Sequence, residues 1–124
     1  MGKRSRKGLI RLVDATRFSI YGFKAAWRDE AAFRQEVVAV AILVPLAFWL
    51  GTTAVERALL IFSALLMLIV ELLNSAIEAV VDRIGLEDHP LSGQAKDMGS
   101  AAILVTLIAG GAVWLFIAWK RFVA

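Results

Sequence analysis

The chain has 124 residues, 60% of them hydrophobic, with a mean hydropathy of +0.72 and a formal net charge of +3. That is too apolar for a soluble domain of this size and too short for two domains, so the expected class is a small integral membrane protein. Cysteine is absent, which excludes a disulfide framework and a thiolate metal site; a metal would need oxygen ligands or His89, the single histidine.

The charge is uneven. Nine of the fourteen Lys and Arg residues lie within the first 34 positions, opposed there only by Asp14, Asp29 and Glu30. No aromatic-interleaved basic groove follows, so nucleic acid is not the expected partner, and anionic lipid headgroups are. The opening Met-Gly-Lys-Arg-Ser-Arg-Lys-Gly also lacks the apolar core and cleavage site of a signal peptide, so the amino-terminus is expected to be retained. From Leu9 to Arg28, Leu9, Leu12, Val13, Thr16, Ile20, Phe23 and Trp27 recur at helical spacing, with Arg11, Asp14, Arg17, Tyr21, Lys24 and Arg28 opposite. The pattern predicts an amphipathic helix over about 9–28 lying in the membrane interface. Gly22 lowers its helicity and leaves room for close approach.

The first apolar run, Val37–Leu50, has fourteen residues, fewer than the ~20 that cross a bilayer. It must borrow Phe33, Arg34, Gln35 and Glu36, giving a span over about 33–50 in which Arg34 snorkels and Glu36 pairs with it or with another chain. Pro45 is expected to kink it. Residues 51–54 form a turn, Glu56 and Arg57 mark the far interface, and the second span covers about 55–84. Gly85 to Gly93 reads as a polar loop with Pro90 inside it. Helix resumes at Gln94, and Met98–Trp119 is an uncharged third span closed by Lys120 and Arg121, with Trp114 and Trp119 as interface anchors.

Chemistry concentrates in Glu71–Asp82. Glu71, Asn74, Ser75, Glu78 and Asp82 fall on one helical stripe, directly after Ala58–Val70, which carries no charge. Carboxylates in such a segment are costly and read by default as functional. The basic amino-terminus predicts a cytoplasmic location for itself and for the Glu87-Asp88-His89 loop, against the mild contrary signal of Lys120 and Arg121. The acidic stripe, the loop and the basic helix then share the side where ATP is. Oxygen ligands suit Mg²⁺ and bridged phosphates, Lys96 can neutralise phosphate charge, and a free carboxylate can take a proton from a hydroxyl. Gly93–Ser100 only superficially resembles a P-loop, since Lys96 precedes the second glycine and no strand leads into it, and protein-kinase signatures are missing. On these grounds alone, a kinase, a transporter and a proton relay all stay open. Three spans leave much of each helix exposed, so self-association is expected to enclose the polar stripe, with Gly99, Ala101, Ala102, Gly110 and Gly111 allowing close contact.

Three motifs narrow this. Glu-Ala-Ala-Phe-Arg-Gln-Glu at 30–36, Glu-Leu-Leu-Asn-Ser-Ala-Ile-Glu-Ala-Val-Val-Asp at 71–82 and Ala-Lys-Asp-Met-Gly-Ser-Ala-Ala at 95–102 resemble the bacterial integral membrane diacylglycerol kinase family in the right order and over nearly the whole chain. The resemblance implies an all-α homotrimer in the bacterial inner membrane, with three transmembrane helices and an interfacial helix per subunit. It implies transfer of the γ-phosphate of MgATP to diacylglycerol, yielding phosphatidic acid. Under it, Glu71 is the catalytic base, Asn74 orients Glu71, and Glu30 and Glu78 hold metal and nucleotide. Arg11, Phe18, Ser19, Glu87, Asp88, His89, Lys96 and Asp97 would contact ATP. Lipid contacts would come from Arg11, Trp27, Ala32, Phe33, Arg34, Gln35, Glu36, Trp49, Glu56, Arg57, Glu71, Ser100, Trp114 and Trp119.

The surface helix fits the family pattern least well, at Asp14, Thr16 and Arg17. Blander roles stand beside these: His89 as an ordinary loop histidine, Asp82 paired only with Arg83, Ser100 as a helix cap. Undecaprenol is the alternative acceptor, because relatives of the family phosphorylate it, although the wording at 31–36 and 96–102 is closer to the diacylglycerol branch. A non-enzymatic proton or ion pathway along Glu71, Glu78 and Asp82 is the alternative of a different class. The absence of charge between Arg57 and Glu71 counts against it.

Overall fold

A computed structural model describes residues 7–85 and 87–124. The basic cluster at residues 1–6, read above as touching anionic headgroups, and Leu86 of the polar loop lie outside the described residues. Four helices follow in order: α1 (Leu9–Asp29), α2 (Ala31–Leu50), α3 (Ala54–Ile84) and α4 (Pro90–Phe122). The last three are long and apolar enough to cross a membrane. Helix α3 packs between α2 and α4, and α1 lies mainly against α2.

Helix length positions everything else. At 1.5 Å per residue, the 20 residues of α2 give ~30 Å, about one bilayer core, whereas the 31 of α3 and 33 of α4 give ~46 and ~50 Å. The three helices meet at the Gly51 turn, where α2 ends, α3 begins and α4 ends, so the surplus length of α3 and α4 projects at the opposite end. Counting ~30 Å up α3 from Ala54 reaches Asn74, level with the start of α2.

The Gly51 end holds the core. Ala47, Leu50, Leu60 and Ile117 form its buried cluster, with Ile61, Val113, Trp114 and Ala118 packed against it. Trp114 donates its indole N–H to Ser63 Oγ at 3.0 Å, so the predicted interface anchor is also an interhelical polar link. Thr53 caps α3, its hydroxyl accepting from Glu56 N–H at 3.1 Å.

Several expectations are corrected. The polar loop does not run to Gly93: α4 begins at Pro90, because proline at the first helical position sacrifices no hydrogen bond and His89 Nδ1 accepts from Leu91 N–H at 3.1 Å. The helix that contains the expected third span, 98–119, is accordingly longer than that span. Ser100 sits inside α4, so it is no cap. Pro45 lies within α2, whose helical structure continues past it as the expected kink allows. Arg34 does not pair with Glu36; it donates to the carbonyls of Trp27 at 2.6 Å and Arg28 at 3.2 Å, closing the carboxyl end of α1. Such carbonyls lack intrahelical partners, and a guanidinium one turn into the next helix supplies them. The elbow between α1 and α2 is Glu30, in extended conformation, and stacking of Phe23 on Phe33 at 6.5 Å holds the two helices together.

Candidate active site

Where the start of α2 meets the middle of α3, the polar stripe turns inward. Glu71 and Asn74 are only 5% and 7% exposed. A single chain therefore already encloses both, which corrects the expectation that only association could; α2 on one flank and α4 on the other suffice. Half-buried Glu78 and exposed Asp82 continue the stripe along the projecting part of α3.

Two contacts set this level. Ser75 Oγ donates to Glu30 Oε1 at 3.2 Å, tying the α1–α2 elbow to α3 across 45 residues of sequence. On the other flank, Gly99 of α4 lies against Asn74 so closely that a Cβ there would stand 1.9 Å from Asn74 Oδ1. Neither Asn74 Oδ1 nor Glu36 Oε2, both buried, has a hydrogen-bond partner. Such orphan atoms are rare in folded proteins and call for an explanation such as a catalytic role or a missing ligand.

Glu71 also stands between two cavities along α3. Toward the Gly51 end, a largely apolar cavity of about 460 Å³ is lined by Ala32, Gln35, Glu36, Ala39, Val40 and Leu43 of α2, Ser63, Ala64 and Met67 of α3, and Thr106, Leu107, Gly110, Gly111 and Trp114 of α4. Toward the projecting end, a polar cavity of about 570 Å³ is lined by Val81, Asp82, Gly85, Glu87, Asp88, His89, Pro90, Ser92, Gly93 and Lys96. Met67 is about 6 Å below Glu71 on the helix axis and Val81 about 15 Å above it, from the helical rise. Lys96 Nζ reaches Asp82 Oδ1 at 3.0 Å across the polar cavity, so Asp82 pairs with α4 rather than with Arg83.

The predicted site residues are thus sorted. Glu30, Glu71 and Asn74 gather where α2 begins, Glu78 lies about 10 Å beyond Glu71 along α3, and Glu36 is near enough to Glu71 to interact with it electrostatically. Glu87, Asp88, His89 and Lys96 line the polar cavity; Asp97 is exposed beside it without lining it. Ala32, Gln35, Glu36 and Trp114 line the apolar cavity, while Phe33 is buried against α1 and Ser100 is exposed on α4. Arg11, Phe18, Ser19 and Trp27 are exposed on α1, where Ser19 donates to its own helix at Ala15 O, 2.8 Å away. Within one chain they are not gathered with the stripe. Trp49, Glu56, Arg57 and Trp119 belong to the opposite end, about one bilayer core away. Ser75 is the residue that was missed: it was seen on the stripe but given no role, and only the long-range hydrogen bond to Glu30 reveals one.

Among the described residues, no three acidic or histidine side chains converge as a preformed metal cage. A cation such as Mg²⁺ would not need such a cage, since it keeps several waters and takes one or two carboxylates plus substrate phosphates.

Residues 17–118 match the family described as prokaryotic diacylglycerol kinase. The chain belongs to that family. It is 55% identical over 115 residues to the diacylglycerol kinase of Escherichia coli strain K12, covering 93% of this chain and 94% of that one. The Pseudomonas aeruginosa diacylglycerol kinase is 56% identical over 111 residues, 90% of each chain, and that of Haemophilus influenzae 51% identical over 107 residues, 86% of this chain and 91% of its own. Family membership makes this protein a membrane lipid kinase, an enzyme with a nucleotide co-substrate, and the resemblance drawn from the three motifs is upheld.

Proposed function

We propose that this kinase transfers the γ-phosphate of MgATP to the free hydroxyl of 1,2-diacyl-sn-glycerol, giving phosphatidic acid at the cytoplasmic face of the bacterial inner membrane. The observation that carries it is Glu71, buried on α3 between an apolar cavity on one side and a polar, lysine-bearing cavity on the other. Glu71 takes the proton of the acceptor hydroxyl as its oxygen bonds to the γ-phosphorus and the bond to ADP breaks. Asn74, one turn along, orients that carboxylate. Lys96 exchanges Asp82 for phosphate oxygens, and the Glu87-Asp88-His89 loop and Asp97 complete the nucleotide side. Glu30 and Glu78 would hold Mg²⁺, which when bound supplies charge neutralisation on the phosphates; Ser75 holds Glu30 in place for this.

Acyl chains occupy the apolar cavity beside Ala32, Gln35, Glu36 and Trp114. The amphipathic α1, exposed along both Leu12, Phe23 and Trp27 and its arginines, lies in the interface. The chain works as a homotrimer, in which α1 of one subunit can bring Arg11, Phe18 and Ser19 to a neighbour's site; the wide exposed apolar faces of α2 and α4 support association.

The test is MgATP-dependent transfer of labelled phosphate by the purified protein in mixed micelles, with diacylglycerol and undecaprenol offered in parallel. Preferential labelling of diacylglycerol is expected. Preference for undecaprenol would overturn the substrate, and no transfer by a folded oligomer would overturn the activity.

A further inference from the structure

We infer that Gly99 is a positioning residue for the reaction, acting through Asn74 on Glu71; this rests on the assignment of Glu71 as the base. Gly99 is buried where α4 crosses α3, and a Cβ on it would lie 1.9 Å from Asn74 Oδ1 and 3.1 Å from Asn74 Cγ. The first distance is far inside any real contact, and the obstacle, the amide at the end of the Asn74 side chain, has only two torsions with which to move away. It is a short amide, 93% buried, on a helix that cannot yield.

The glycine therefore does more than let two helices approach. Its missing side chain is the space that the Asn74 amide occupies. Asn74 has two side-chain torsions, and α4 closes off part of their range, so the amide is confined to the stripe it shares with Glu71 three residues earlier. Its Oδ1 accepts from no neighbour, so no hydrogen bond of that oxygen fixes the rotamer. Packing against Gly99 does so instead. The other α4 glycines differ: a Cβ at Gly110 would meet Ser63 only at ordinary distance, 3.9 Å, and Gly93 and Gly111 face open space.

The test is a double-mutant cycle of Gly99→Ala and Asn74→Ala, with Glu71→Gln beside it. Gly99→Ala is expected to lower kcat about 10- to 100-fold, the scale of a misplaced catalytic group, with KM for MgATP and lipid within about twofold of wild type. In the Asn74→Ala background, where the obstructing amide is gone, adding Gly99→Ala should cost less than a further twofold. That comparison of Asn74→Ala with the double variant remains readable even if Gly99→Ala alone does not fold. Losses that multiply, or a Gly99→Ala variant with wild-type kcat, would overturn the inference. Near wild-type turnover of Glu71→Gln would overturn the base assignment itself, and so separates the two failures.

Discussion

The two ends of the helical bundle handle their polar groups in opposite ways. At the Gly51 turn, every charge is used on a neighbour. Lys120 pairs with Glu56, whose carboxylate also accepts from the Thr52 N–H at 2.9 Å and hydroxyl at 3.1 Å. Arg57 donates to the carbonyls of Phe48 and Gly51, and Arg121 to those of Trp49 and Leu50 at 2.8 and 3.1 Å while lying over the Trp49 and Phe122 rings. The carboxyl end of α2, whose last carbonyls have no intrahelical donors, is thus capped by two guanidinium groups. Gly51 is required there, since a Cβ would meet Arg57 Cγ at 2.8 Å. At the opposite end, Glu36 Oε2 and Asn74 Oδ1 are buried and left without partners, beside two cavities. One end is finished as structure; the other withholds partners that a substrate can supply.

If that contrast is right, substitutions at the two ends separate activity from stability. The largest effect is expected from Glu71→Gln, which should lower turnover by about 10²–10⁴-fold, the usual contribution of a general base, with thermal midpoint and oligomer unchanged. Retained turnover in the micelle assay would erase the distinction. Next, Glu78→Gln should raise the Mg²⁺ concentration needed for half-maximal rate, by about tenfold if one carboxylate contact is lost; an unchanged titration would remove Glu78 from the site.

At the closed end, Leu60→Ala should destabilise by about 2 kcal/mol, the low end for a buried leucine, because lipid already offers an apolar surrounding. Its specific activity at low temperature should match wild type. Glu56→Gln should lower the thermal midpoint slightly and leave kcat alone, measured by unfolding in micelles. The smallest effect concerns the exposed Arg28–Asp29 pair on α1. The hydrogen bond from Arg28 holds the Asp29 carboxyl below its ordinary range. A depressed carboxylate stabilises the fold above its unfolded pKa, about 3.9, and loses that contribution as pH falls through its folded value. Arg28→Gln should therefore lower stability slightly at neutral pH and match wild type in strongly acidic solution, and a difference that persists unchanged in strong acid would contradict the pairing.

The membrane class, the number of spans and the polar stripe were legible in the sequence because each rests on local periodicity and run length. Glu71 and Asn74 could be read as inward-facing once Ala58–Val70 proved uncharged. The start of α4 was misplaced by treating Pro90 as a loop residue, when its position directly after a capping His89 makes it a helix opener. Arg34 was misread for a different reason: its carbonyl partners belong to the preceding helix and depend on the angle of the Glu30 elbow, which periodicity does not encode.

By itself, the sequence determined that three helices are long and apolar enough to cross a membrane and that one of them carries carboxylates on a single face, since hydropathy and the 3.6-residue repeat act within a segment. The tertiary structure alone decided that Ser75 holds Glu30, that Gly99 confines Asn74, that Lys96 reaches Asp82 and that Glu71 lies between two cavities of opposite character. Those relations join residues 14 to 45 positions apart, and they depend on how three helices of unequal length align when they share one end.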